Sequence, residues 1–153
     1  MRIALYQPDI PQNTGNIFRL GACLGVPVDI IEPTGFIFDD KKFKRSAMDY
    51  IKHIQYKRHI DWQHFYNWTI KNKFRLVLIT TKASKSIYKF EFLSSDILLF
   101  GRESAGVPEK LHKSISSKVK IPMNKKTRSL NVAISVAIIA SEALRQNNLL
   151  IYD

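Results

Sequence analysis

The sequence predicts a single α/β domain: a mainly parallel sheet with helices on both faces. Short apolar, β-branched runs alternate with longer helical patterns, the order that parallel βαβ units impose. A chain of 153 residues, 45% hydrophobic, carries enough apolar material for one core. No repeat, linker or low-complexity segment divides it, so residues 1–153 are expected to form one domain.

The elements follow in order. Arg2-Ile3-Ala4-Leu5-Tyr6 reads as a buried first strand. Pro8 and Pro11 should hold the next residues extended and delay a helix, with Asn13 as its N-cap and Gly25 near its end. On that helix Asn16 and Arg19 are three residues apart and share a face. Val28-Asp29-Ile30-Ile31 is a second strand. Asp39 to Ala47 reads as a short basic helix with an acidic start, which the helix dipole favours. Ile54-Gln55-Tyr56 is expected as a short third strand. Asp61 should cap a helix through Phe65, Trp68 and Ile70, its aromatics in the core.

Arg75 to Thr81 is the clearest central strand. Ile87-Tyr88 reads as a brief extended piece, Asp96-Ile97-Leu98-Leu99 as a buried strand, and Lys118 to Pro122 as the last strand. A final helix runs from about Asn131 to Asn147. It is apolar around most of its circumference, with a small-residue stripe at Ala133, Ala137 and Ala140, which suits close packing or a subunit contact.

The net charge of +11 favours polyanionic partners such as nucleic acid or anionic membrane. Cys23 is the single cysteine, so no disulfide can form within the chain. The four histidines show no metal spacing, and no metal is expected. No apolar run is long enough to span a bilayer and no leader pattern opens the chain, so a cytoplasmic protein is expected. The dinucleotide fingerprint and the P-loop are both absent, which argues against cofactor binding by either glycine loop.

Three stretches carry the chemistry. Phe100-Gly101-Arg102-Glu103-Ser104-Ala105-Gly106-Val107-Pro108 lies between a strand and a helix opened by Pro108. Its glycines should let a ligand approach the main chain, whose exposed amides can hydrogen-bond it. The second is Asn13-Thr14-Gly15-Asn16-Ile17-Phe18-Arg19. The third is Ile121-Pro122-Met123 with Thr127-Arg128-Ser129-Leu130-Asn131-Val132-Ala133, where Ser129 or Asn131 could cap the last helix.

Together they resemble the signature motifs of the SPOUT class of S-adenosylmethionine-dependent RNA methyltransferases. Ile10 to Asn16, Ile31 to Phe36 and the short length are similar, more specifically, to the TrmL (YibK) family. The resemblance runs over essentially the whole chain. It implies a C-terminal trefoil knot, against the rule that chains avoid knots. It implies methylation of the ribose 2′-OH of the wobble nucleotide, C34 or U34, in tRNA, with leucine isoacceptors as expected substrates. The cofactor would be S-adenosyl-L-methionine, leaving as S-adenosyl-L-homocysteine. Alternatives are a SPOUT methyltransferase acting on rRNA and a catalytically silent knotted RNA-binding module.

By the same resemblance, Ile79, Thr80, Gly101, Glu103, Gly106, Ile121, Met123, Ser129 and Leu130 would hold the cofactor. Arg19 would orient substrate and share in proton removal, with Asn13, Asn16, Glu103 and Asn131 around it. Arginine is protonated throughout the working range, so acting as a base would require strong perturbation. Relatives can carry proline where Arg102 stands, which leaves the job of Arg102 open. With no appended RNA-binding domain expected, RNA would be held by the catalytic domain, across a homodimer. Candidate contacts are Lys41, Lys42, Lys44, Arg45, Lys57, Arg58, Lys125, Lys126 and Arg128.

Overall fold

The computed structural model describes residues 1–38, 45 and 47–149. Six parallel strands form one sheet: β1 (Arg2–Tyr6), β2 (Val28–Ile31), β3 (Tyr56–His59), β4 (Arg75–Ile79), β5 (Asp96–Phe100) and β6 (Ser117–Val119). Their order is β3-β2-β1-β5-β4-β6, and every pairing is parallel. The middle pair is therefore β1 and β5, and β4 lies one place from the edge rather than at the centre.

Alternation along the strands separates two cores. Ile3, Leu5, Leu98 and Phe100 face one side, against α1 (Pro11–Leu24) and α4 (Val132–Gln146) through Ile17, Phe18, Ile139 and Ala143. Ala4, Tyr6, Ile97 and Leu99 face the other side, against α2 (Trp62–Lys71) and α3 (Glu109–Ser114) through Phe65 and Leu111. Helices thus cover both faces, as expected.

Several boundaries differ from the sequence reading. α1 begins at Pro11, two residues before Asn13, and its cap position is Ile10 with no side-chain cap bond. Proline at the first helical position gives up an N–H that had no partner, so Pro11 starts the helix instead of delaying it. β3 is Tyr56–His59 rather than Ile54–Tyr56, because its register pairs Val28 with Tyr56 and Ile31 with His59. It is an edge strand, where charged residues such as Lys57 and Arg58 are usual. β6 is shorter than expected, because Lys120 changes partner and bridges Ser86. Ile87–Lys89 is a 3₁₀ turn, not an extended piece.

Pro108 precedes α3 as its cap residue. Asp61 caps α2 as read, accepting from the His64 N–H at 2.7 Å, while Ile70 is exposed. The basic helix expected over Asp39–Ala47 falls mostly outside the described residues, as do Lys41, Lys42 and Lys44.

After β6 the chain runs beside the Lys85–Ile87 segment. The Lys120 N–H donates to the Lys85 carbonyl at 2.9 Å and the Ile87 N–H to the Lys120 carbonyl at 3.0 Å. It then returns to α1, where Asn131 meets Asn13. The parallel sheet, its flanking helices and this return path agree with the knotted α/β fold the resemblance implies.

Candidate active site

At the carboxyl ends of the strands lies a cavity of about 550 Å³. In open α/β sheets this is where the loops converge and ligands bind. Its wall comes from the end of β4 with Thr80, from the loop after β5, and from the segment joining β6 to α4. All nine candidate cofactor residues line it: Ile79, Thr80, Gly101, Glu103, Gly106, Ile121, Met123, Ser129 and Leu130. Asn13 and Asn131 line it as well.

A chain of side-chain hydrogen bonds joins the three motifs at this cavity. The Asn13 amide donates from Nδ2 to Glu103 Oε1 at 3.1 Å. Its Oδ1 accepts from Asn131 Nδ2 at 3.0 Å. Asn131 Oδ1 caps α4 by accepting from the Ala133 N–H at 2.8 Å and the Ile134 N–H at 3.4 Å. Of the two capping candidates, then, Asn131 does the capping. Asn13 is buried, and the earlier start of α1 frees its side chain for this bridge instead of a cap.

The loop after β5 is a tight hairpin of its own backbone. The Arg102 and Gly106 N–H groups each donate to the other's carbonyl, at 2.9 and 2.8 Å. These two amides are consequently committed inside the loop rather than offered to a ligand. Gly101 is required for the same reason. A Cβ there would lie 2.5 Å from the Gly106 carbonyl carbon and 2.7 Å from its Cα. Gly106 has φ of +67°, where L residues are strained, with open space around it.

Asp9 was missed in the sequence, and it ties this hairpin to the start of α1. Its N–H donates to Glu103 Oε2 at 2.8 Å. Its carboxylate accepts from Arg102 Nε and Nη2 at 3.2 and 2.9 Å, and from the Ser104 N–H and hydroxyl. Burial pushes the Asp9 carboxyl up, but the bonds from Ser104 and Arg102 outweigh it and hold the group below its usual value. The hydrogen bond to Asp9 raises the Arg102 guanidinium in turn. This gives Arg102 the job left open in the sequence. The available signal was Asp9's place just after β1, where loops build sites.

Arg19 and Asn16 are not on the cavity wall. Both lie on the exposed face of α1, and the Arg19 guanidinium sits 5.1 Å from the Tyr50 ring centroid. Lys125, Lys126 and Arg128 are exposed on the loop before α4, around a turn where Asn124 Oδ1 accepts the Lys126 N–H at 3.0 Å. Arg45 is exposed too. Lys57 lies over the Trp68 ring and Arg58 pairs with Glu32 at 2.6 Å, so both are engaged within the chain. Among the described residues no group of three or more His, Cys, Asp or Glu is placed to hold a metal ion. No helix there is long and apolar enough to cross a membrane.

Both the sequence and the architecture have close counterparts in other proteins. The tRNA (cytidine(34)-2′-O)-methyltransferase of Beijerinckia indica is 52% identical over 144 residues, 94% of this chain and 90% of that protein. A solved structure described as giving insight into the 2-OH methylation of C/U34 on tRNA superposes with a TM-score of 0.91 at 38% identity. It covers 96% of this chain and 95% of that one. The AdoMet-bound rRNA methyltransferase of Sinorhizobium meliloti has a TM-score of 0.86 at 25% identity, over 94% of this chain and 55% of that one. The SpoU rRNA methylase family model matches residues 1–141, a span that contains β1 to β6 and all three motifs joined at the cavity, and the chain belongs to that family.

Proposed function

We propose that this chain is an enzyme that transfers a methyl group from S-adenosyl-L-methionine to the ribose 2′-OH of the wobble nucleotide, C34 or U34, of tRNA. The observation that carries the reading is the hydrogen-bonded bridge Glu103–Asn13–Asn131, which closes three distant motifs around one cavity. The cavity's volume is in the range of small-molecule sites. Its chemistry suits the cofactor: apolar Ile79, Ile121, Met123 and Leu130 for the adenine and methylene parts, and Thr80, Ser129 and Glu103 for polar groups. When bound, S-adenosyl-L-methionine supplies an electrophilic methyl on a sulfonium.

The chain's own residues must then position the hydroxyl and ease loss of its proton. Asn13, itself held by Asn131, and the Asp9 N–H fix the two oxygens of Glu103, whose carboxylate stays on the cavity wall as an acceptor. Arg19 orients the substrate through ribose or phosphate and shares in proton removal, supported by Asn16. Residues 1–153 act as one catalytic domain, and RNA is held on its surface by Arg45, Lys125, Lys126 and Arg128.

The chain works as a homodimer. Ile10, Leu130 and Ile134 are large apolar residues exposed at or near the cavity, and Arg19 lies off its wall, so a second copy both covers the one and completes the other. Closed two-fold dimers are the commonest oligomers. Light scattering should find a dimer at micromolar protein; a stable monomer would contradict this.

The test of function is methyl transfer to bulk tRNA against rRNA, with nucleoside mass spectrometry at position 34 and leucine isoacceptors tried first. Arg19→Ala should keep fold and cofactor affinity but slow transfer by about 10²-fold or more. Arg19→Lys should rescue little, because lysine lacks the planar fork. Arg19→Ala turning over at the wild-type rate would exclude the role given to Arg19. Transfer to rRNA alone would exclude the tRNA reading.

A further inference from the structure

A second depression, of about 560 Å³, borders the cavity and shares Lys82 and His112 with it. Lys82, Lys85 and Lys118 line it, with Ser84, Ser116 and Ser117 between them. None of these residues figured among the RNA contacts expected from the sequence. From residue 104 to 141 the chain carries seven lysines and arginines and one acidic residue, Glu109. That carboxylate lies 3.7 Å from Lys82 and 3.8 Å from Lys113, so the surface stays strongly cationic.

The presentation is firm. Lys118 belongs to β6, paired with β4. The Lys85 carbonyl is held by the Lys120 N–H, and its ammonium sits 5.2 Å from the Phe90 ring centroid. In the wall common to both depressions, His112 Nε2 is buried with no hydrogen-bond partner among the described residues.

We propose that this depression seats the phosphates that flank the methylated nucleotide. The inference rests on the functional reading above. Lysines and serine hydroxyls are the groups that grip phosphate oxygens and set register without reading sequence. An RNA whose target ribose enters the cavity must carry its neighbouring phosphates across the rim. On the β6 side that rim is Lys82 and His112, and Lys85 and Lys118 lie beyond it. The site therefore takes backbone phosphate of RNA and contributes positioning rather than sequence choice.

The test uses the full chain and bulk tRNA. Lys85→Gln/Lys118→Gln should bind S-adenosyl-L-methionine as the wild type does, by calorimetry. Its plot of log affinity for tRNA against log salt should be shallower by roughly 0.7–0.9 for each phosphate no longer neutralised. Lys85→Arg/Lys118→Arg should keep the wild-type slope. Lys71→Gln/Lys73→Gln, at the amino end of β4, should keep it too. If the double glutamine variant loses cofactor binding, the exposed Lys85→Gln alone serves, with the slope change of a single phosphate expected. A folded, cofactor-binding variant with the wild-type salt slope and the wild-type KM for tRNA would overturn the site. Wild-type protein that binds cofactor but no tRNA would overturn the functional reading, and this site with it.

Discussion

Asp9 shows how one carboxylate sets a site without lining it. Its main chain holds Glu103 and its side chain holds Arg102 and Ser104, so the first half of the loop after β5 is registered against the segment that leads into α1. Its folded pKa is depressed, so the stabilisation it gives is fully present above its unfolded value of about 3.8. That stabilisation is lost as pH falls through the lower folded value. Between pH 5 and 8 the clasp should not change, and an activity change there must come from another group. Carbon-13 titration of the Asp9 carboxyl should give a value below 3.8, and Arg102→Ala should raise it. A wild-type value at or above 3.8 would contradict the clasp.

At the scale of elements, the hairpin from Gly101 to Gly106 separates two kinds of glycine. Gly106→Ala meets open space and pays only for its left-handed backbone, about 1–2 kcal/mol in urea melts. Gly101→Val collides with the Gly106 and Val107 backbone, so it should break the hairpin and disturb Asp9 and Glu103 together. Cofactor binding and the Asp9 titration should then change in step; loss of binding with an unmoved Asp9 would mean that the clash is with ligand instead.

This distinction was not legible in the sequence, where both glycines read as ligand approach. β1, β2, β5 and α4 were legible, because long apolar or periodic runs are decided locally. β3 was misplaced, because an edge strand of lysine, arginine and tyrosine has no apolar signature. The residues lining the cavity were legible through motifs, whereas the partners of Asn13 and Arg102 lie about 90 or more residues away along the chain.

Over the whole molecule, charge is arranged at both ends of the sheet. At the amino end Asp96 is fully buried and paired with Arg75 at 2.6 and 2.8 Å, and buried Asp29 is held by Arg2 and His59. Arg75→Ala would strand the Asp96 charge and should cost about 3–5 kcal/mol in urea unfolding. The active-site cavity lies at the opposite end, so the cofactor affinity of the folded variant should equal that of the wild type. A marginal loss of stability would show that Asp96 is satisfied by its Leu93 N–H bond alone.

The bridge from Asn13 to Asn131 also governs when the site comes into being. Its two members are 118 residues apart, and β1 finds β5 across nearly as long a stretch. Pairings this distant in sequence close late and make folding slow. The bridge can form only once Asn131 is available, whereas β1 and β2 can pair early. Refolding followed by circular dichroism should therefore run ahead of refolding followed by cofactor binding, with catalytic competence the last property gained.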